Sequence, residues 1–417
     1  MSGQTIELLD LVARWIHVIA GIMWVGNSLL FNWLDRNLRP RSDGDVYGDI
    51  WLIHSGGFYL VEKNKGERAG TGARALPDPL HWFKWQAYTT WLSGAALLVV
   101  VYYLGGRALI VDPAVANISP SAGTLFAIGT IVGGWLLYEA IWRTIGRRQS
   151  GVAAAISVIL LVVAVELLLS RLSGRAAYVH VGAMLGTLMA GNVAFTIMPS
   201  QRELVAALRA GREPSQEIAD RAKTRSIHNN YLTFPVIVLM LSSHFPSLYA
   251  HDRSDLALFT LVASGAAVRH WLNIRFTFPK WKVALAGTIA ATLLLLAAQL
   301  GVRPFQRRPH AGGTSANVAE LDSLMAGLPG NIPFVEARRV LDRRCTACHS
   351  ATPSDVSLGV MPGGVAFDTP EQIQALVARI RERAIVTRTM PPANKTMLTE
   401  RERAILAKWI AEGGRMK

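Results

Sequence analysis

Cysteine is almost missing from this chain: 417 residues hold two, Cys345 and Cys348. A zinc site is excluded by that scarcity, because four ligands are needed and no second Cys-x-x-Cys exists to supply them. Acidic residues are also few, 29 Asp and Glu against 43 Lys and Arg. The resulting surplus of +14 would suit nucleic acid, but no nucleic-acid motif is present and the basic residues sit mainly in loops between apolar runs. Charge of either sign is sparse, at 17%, while 51% of residues are hydrophobic and the mean hydropathy is +0.28. That balance is not a soluble profile, and it divides the chain between a membrane part and a polar part. A removable signal peptide is not expected, since residues 1–8 lack a basic n-region and the first apolar run is too long and has no small-residue cleavage site.

The two cysteines stand in Cys345-Thr346-Ala347-Cys348-His349. A thioredoxin-like dithiol would need a βαβ context that the surroundings lack. Two thiols at this spacing each add to a vinyl group of haem, and the following His349 is placed to ligate the iron. The sixth ligand is expected at Met390, in Thr389-Met390-Pro391-Pro392, because a thioether opposite imidazole raises the potential and suits electron transfer. Met361 and Met397 are the alternatives, and both read as loop or packing methionines. An amphipathic helix follows over 398–410, with Thr399 as N-cap and Glu402 completing a capping box. From 331 to 413, with a helix before the cysteine pair, a ligand loop and a last helix carrying Trp409, the segment resembles a class I cytochrome c domain. In that family covalent haem is assembled on the outer side of the bacterial membrane.

Eight apolar runs approach the length needed to cross a hydrocarbon core of about 30 Å: 9–34, 81–104, 121–145, 151–170, 177–199, 227–246, 255–275 and 282–302. The expected fold is therefore all-α, a polytopic membrane bundle over 1–305, a linker over 306–330 and a small cytochrome c domain over 331–417. Two connections, 35–80 and 200–226, are long and charged. The first contains Trp51, His54, Phe58 and Tyr59 with Gly56-Gly57, and is expected to carry a re-entrant or interfacial piece. Loops joining runs 1–2, 3–4, 5–6 and 7–8 hold most of the Lys and Arg, among them Arg36, Lys65, Arg68, Arg74, Arg147, Arg202, Arg221 and Arg225. The opposite loops hold Arg107, Arg171, Arg175 and Arg253. The positive-inside rule then puts both termini outside, on the inner membrane's periplasmic face, where c-type haem is attached. A repeat is also visible: Trp15-Ile16-His17-Val18 with Gly26-Asn27 is echoed by Tyr178-Val179-His180-Val181 with Gly191-Asn192. His81 opening run 2 is matched by His228 opening run 6. Four spans per half would place ligands between the halves.

Ionisable side chains inside a span mark functional sites. His17, His180 and His244 fall toward the outer side, and His81, His228 and His270 toward the inner side, so that each set of three is a candidate for holding a metal, a haem or a polar substrate. Each histidine also has a plain reading as an interfacial or hydrogen-bonded helix-end residue. Arg14, Glu139, Glu166 and Arg269 lie at similar depths, and Arg is the side chain that grips a planar anion in a bidentate way. His228-Asn229-Asn230 offers an imidazole beside amide donors and acceptors, suited to reading the edge of a purine. The tryptophans are assigned no chemistry and read as interface belt or packing surface.

Eight spans containing 13–27, 180–193 and 228–236 in this order, followed by a Cys-x-x-Cys-His segment, resemble the bacterial membrane-bound urate hydroxylases of the PuuD type over essentially the whole chain. The resemblance implies oxidation of urate to 5-hydroxyisourate, with electrons leaving through haem c to a terminal oxidase or soluble cytochrome rather than directly onto oxygen. Arg14 or Arg269 would then hold the urate anion, and His228 or His17 would act as base; these roles follow from position alone. Oxidation at the inner set would call for a relay such as a bis-His haem b, whereas the outer set needs none and makes the simpler circuit. Two other classes remain open: a quinol-oxidising module feeding the same cytochrome, and a transporter or haem-handling membrane protein with a redox-sensing cytochrome.

Overall fold

Long apolar runs close their backbone hydrogen bonds internally as helices, which is what a bilayer demands. The structure, a computed structural model, describes residues 3–41, 46–64, 78–104, 110–112, 115–249, 253–300, 315–354, 365–394 and 396–416, and is mostly helical. Met361, the start of the expected linker at 306–314 and the basic residues Lys65, Arg68, Arg74 and Arg107 lie outside the described residues. In chain order the first part contains α1 (Gly3–Asn37), α2 (Trp85–Leu98), α3 (Pro120–Arg143), α4 (Ser150–Leu169), α5 (Gly174–Asn192), α6 (Met198–Arg209), α7 (Gln216–Ser242), α8 (Ser254–Ile274) and α9 (Trp281–Gln299). A π-type turn extends α2 through Val99–Leu104, and another at Val193–Ile197 joins α5 to α6 without a break.

Six stretches among the described residues are long and apolar enough to cross a membrane: Leu8–Asn37, Trp85–Leu104, Pro120–Arg143, Ser150–Leu169, Gly174–Arg209 and Trp281–Gln299. The expectation was eight. Helices α7 and α8 form where runs 6 and 7 were expected but fall short on apolarity. The physical reason is that they carry Arg225, Asn229, Asn230, Arg269 and Asn273, all buried inside the bundle.

Helix α5 is the centre of the packing. Ser119 and Ser173 cap α3 and α5 by accepting from Ala122 and Ala176 backbone N–H groups, both at 3.2 Å. Small residues along α5, including Ala176, Ala177, Gly182 and Ala190, let its neighbours α2, α3, α4 and α7 come close. In the second half each helix packs on the next, α5 on α7, α7 on α8 and α8 on α9. In the first half α1 pairs with α2 and α3 with α4, and the two pairs meet at α5. The sequence repeat therefore does not produce two matching four-helix units.

The connection expected to carry a re-entrant or interfacial piece holds a sheet: β1 (Arg39–Pro40), β2 (Val46–His54) and β3 (Gly57–Asn64), antiparallel in that order. His54 pairs with Gly57, and the turn residues Ser55 and Gly56 both have positive φ, 51° and 75°, the conformation that two-residue hairpin turns require. This is the exception to the all-α expectation.

The C-terminal part holds α10 (Ser315–Ala326), α11 (Phe334–Arg344), α12 (Pro370–Ile380) and α13 (Glu400–Ala411). Its core includes Leu341, Ile373, Leu398, Leu406 and Trp409, with Phe334 and Trp409 rings 5.9 Å apart. The expected capping box at Thr399 and Glu402 is present, and a second one at Thr369 and Gln372 starts α12. Within the stretch expected to be linker, α10 packs on α13. Lys408 Nζ donates to the carbonyls of Met325 and Leu328, at 3.0 and 2.8 Å, so this helix belongs to the same folded unit.

Close approach of α7 and α8 depends on Gly265: a Cβ there would lie 2.8 Å from the Pro235 nitrogen, which is backbone and cannot turn aside. Gly265→Ala is expected to destabilise the detergent-purified chain by about 1–3 kcal/mol, the usual cost of overpacking. Gly129→Ala, with nothing within 4 Å of the new methyl, should be neutral or slightly stabilising in a thermal melt. Equal effects at the two positions would refute the close contact.

Candidate functional site

Where the polar first half of α7 gives way to its apolar second half, consecutive residues point to two neighbours. Toward α3 and α5, the Tyr138 hydroxyl lies 2.7 Å from His228 Nδ1, and Asn192 Nδ2 donates to the Tyr138 oxygen at 3.0 Å and to Asn229 Oδ1 at 2.9 Å. Asn229 Nδ2 donates to the Met189 carbonyl at 2.9 Å. One turn earlier, Arg225 Nη2 donates to Glu139 Oε2 at 2.7 Å, and Glu139 Oε1 accepts from Arg143 Nε at 2.5 Å. The Arg225 guanidinium also covers the Tyr138 ring at 4.7 Å, and the Trp142 and His228 rings meet edge to face at 4.1 Å.

Toward α8, Asn230 Oδ1 accepts from Arg269 Nε at 3.0 Å and from Asn273 Nδ2 at 2.7 Å, while the Tyr231 hydroxyl lies 2.8 Å from His270 Nδ1. Arg269 is 1% exposed and is not paired with a carboxylate among the described residues. Its Nη2, Arg225 Nη1 and Asn192 Oδ1 are buried without a hydrogen-bond partner there. A guanidinium taken out of water without a counter-charge costs several kcal/mol, so this place favours an anion. Arg269 Nη2 thus offers a donor on the α8 side of α7, and Arg225 Nη1 and Asn192 Oδ1 offer a donor and an acceptor on the side of α3 and α5.

The other expected residues do not gather into a site. Arg14 is exposed on α1 and pairs with Asp10 at 2.7 Å. His17 Nδ1 is held by the Thr90 carbonyl at 2.9 Å and Ser93 Oγ at 3.2 Å. His180 is fully buried with both ring nitrogens engaged, Nδ1 by the Ala176 carbonyl at 2.7 Å and Nε2 by the Tyr103 hydroxyl at 3.0 Å. His244 is exposed at the end of α7, His81 is exposed against Phe83, and Glu166 is exposed on the outward face of α4. Among the described residues no three His, Cys, Asp or Glu side chains come together to hold a metal, so neither expected set of three histidines forms a cluster. Each has satisfied its ring locally, or faces outward. Of the expected residues, His228, His270 and Arg269 lie in the polar core. Tyr138, Asn192, Arg225 and Asn273 are the members that sequence reasoning missed. Arg225 had been counted among loop charges, although it is a buried residue of α7.

In the C-terminal unit Cys345 and Cys348 are not joined in a disulfide and stand on the turn that ends α11, where the Cys348 and His349 amides both donate to the Cys345 carbonyl, at 3.2 and 2.9 Å. His349 Nδ1 lies 3.3 Å from the Val365 carbonyl, which can only accept, so Nδ1 carries the proton and Nε2 keeps its lone pair. Burial pushes the Cys345 thiol up to about 12 and lowers His349 below the usual imidazole value, leaving both neutral at neutral pH. The Met390 backbone is pinned by its own amide to the Arg383 carbonyl at 3.0 Å and by Arg403 Nη1 to the Met390 carbonyl at 3.2 Å. Met397, by contrast, is 72% exposed. Two thiols outside any disulfide, an imidazole that keeps a lone pair on Nε2 and a methionine with its backbone pinned are a donor set that fits a covalently attached haem.

The buried Glu139–Arg225 pair sets a test of the polar core. Glu139→Ala, which strands Arg225, is expected to cost about 3–5 kcal/mol, whereas Glu139→Leu combined with Arg225→Met should recover most of that loss. Denaturation of the three proteins in detergent measures both numbers, and a double variant as unstable as Glu139→Ala would contradict the pairing.

No curated protein and no solved structure matches the chain. Residues 3–300, which take in α1 to α9 and the whole of the polar core around α7, match the family described as urate oxidase N-terminal. The chain belongs to the urate oxidase N-terminal family.

Proposed function

We propose that the chain is a membrane oxidoreductase that converts urate and water to 5-hydroxyisourate, two electrons and two protons, and passes the electrons out through its C-terminal unit rather than directly to oxygen. Family membership supports urate as the substrate. The observation that carries the site is Arg269, buried without a carboxylate partner among the described residues, beside Asn230 and Asn273. Urate is a planar anion at neutral pH, and the Arg269 guanidinium offsets its charge where no water can. Asn230 Oδ1 holds the guanidinium at Nε, and Asn273 Nδ2 fixes that oxygen in turn, so the anion is oriented as well as bound.

Cys345, Cys348, His349 and Met390 would hold a haem c; when bound, that group supplies one-electron acceptance and onward transfer. The C-terminal segment then acts as a cytochrome c domain handing electrons to a terminal oxidase or soluble cytochrome. Helices α7 and α8 join the six apolar stretches as membrane spans, their polar residues turned to the bundle interior. With the loop charges read by the positive-inside rule, both termini face the outer side of the inner membrane. His180 has both ring nitrogens occupied, by the Ala176 carbonyl and the Tyr103 hydroxyl, and so offers no vacant nitrogen to a haem b in the helical bundle.

Anaerobic addition of urate to the purified, oxidised chain is expected to reduce its c-haem, with two haems reduced per urate. Failure to reduce, in protein that dithionite still reduces, would overturn the reading and favour quinol oxidation or transport. Arg269→Gln should raise KM for urate about 10- to 100-fold, the worth of a charged hydrogen bond, while haem content stays unchanged. Met390→Ala should leave urate binding intact and impair electron exit; loss of urate binding instead would show that the two functions are not divided in this way.

A further inference from the structure

The amide of Asn229 has one orientation open to it. The atom 2.9 Å from the Met189 carbonyl must be Nδ2, because that carbonyl can only accept, and Oδ1 therefore faces Asn192. Asn192 must meet it with its own Nδ2, at 2.9 Å, and the same nitrogen donates to the Tyr138 oxygen at 3.0 Å. Tyr138 thus has its hydrogen left to give, and the acceptor within reach is His228 Nδ1, at 2.7 Å. A neutral imidazole that accepts at Nδ1 carries its proton on Nε2. Asn192, Asn229 and Tyr138 are all buried, and the direction is set at its far end by a backbone carbonyl of α5. The same order leaves Asn192 Oδ1 without a donor among the described residues, a buried acceptor that a ligand N–H would satisfy.

We infer that Tyr138, directed by Asn192 and Asn229, is a positioning residue that fixes His228 as an Nε2–H donor. His228 then holds an acceptor atom of the substrate, a carbonyl oxygen or unprotonated ring nitrogen, and is not the base that takes the substrate's proton. The identity of the substrate rests on the proposed urate reading, whereas the tautomer does not. A general base at this position would need a free lone pair on the nitrogen that meets the substrate, and the relay has placed a proton there.

The full chain labelled with 15N-histidine and reconstituted in lipid gives a direct reading by solid-state NMR, with the His228 signals identified by their loss in His228→Gln. The expected spectrum has His228 Nδ1 unprotonated and Nε2 protonated, and Tyr138→Phe mixes the two tautomers. Protonated Nδ1 in the parent protein overturns the inference, whether or not urate reduces the haem, so that it fails separately from the functional reading. Kinetics give the second measurement. His228→Gln keeps an N–H donor near the Nε2 position and is expected to retain roughly a tenth or more of kcat/KM, while His228→Ala loses about 100-fold, mainly through KM. Equal loss of kcat in both variants with KM unchanged is what a base would give, and it refutes the donor role.

Discussion

Polar side chains inside an apolar bundle have few partners, and this constraint organises the helices from α1 to α9. Arg225, His228, Asn229 and Asn230 all lie on α7, and each has to be answered by a neighbour because water is excluded. Glu139 and Tyr138 answer from α3, Asn192 from α5, and Arg269 and Asn273 from α8. The helices that surround α7 are thereby fixed in rotation as well as in distance. Small residues allow the approach: Gly182 on α5 faces Met240, and Gly265 on α8 faces Pro235. Packing of this kind holds the helices by fit and hydrogen bonding, since lipid gives no hydrophobic drive between them.

Charge is not balanced within that core. Arg225 has Glu139, but Arg269 has neutral partners among the described residues. A buried cation beside the neutral Asn230 amide is left for an anionic ligand to compensate, which is the part the proposed urate reading gives it. The outer histidines make a contrast. His17 and His180 are anchored to backbone carbonyls at Thr90 and Ala176, so they contribute to helix packing.

Much of the fold was legible because its signals are local. Apolar runs marked the helices, and Thr399 with Glu402 marked the start of α13. The hairpin at Val46–Asn64 escaped notice because its strands are apolar on both faces, with Trp51, Ile53, Phe58 and Tyr59 all exposed, so no alternation distinguishes it from interfacial chain. Helix α10 was hidden in a stretch whose Pro, Gly and Ser read as linker, and it is held by Lys408, more than eighty residues away. In the candidate site, His228, Asn229, Asn230 and Arg269 were visible as polar residues in apolar runs. Tyr138 was not, because a single tyrosine in a span has no spacing to give it away, and Asn192 was marked only by the repeat of Gly26-Asn27, with no role attached.

By itself the sequence determined that the chain is helical and largely apolar, that two thiols, an imidazole and a thioether are available near its C-terminus, and where ionisable groups fall along each run. These are properties of residue type and short-range order. Only the tertiary structure decided which ionisable groups act together. It set Arg14 with Asp10 on an exposed face, closed His180 between Ala176 and Tyr103, and drew Tyr138 and Asn192 to one side of α7 and Arg269 to another, around His228, Asn229 and Asn230. The direction of the hydrogen bonds was decided there too. A donor or acceptor role at His228 depends on a carbonyl at Met189, and that link exists only once α5 and α7 are packed.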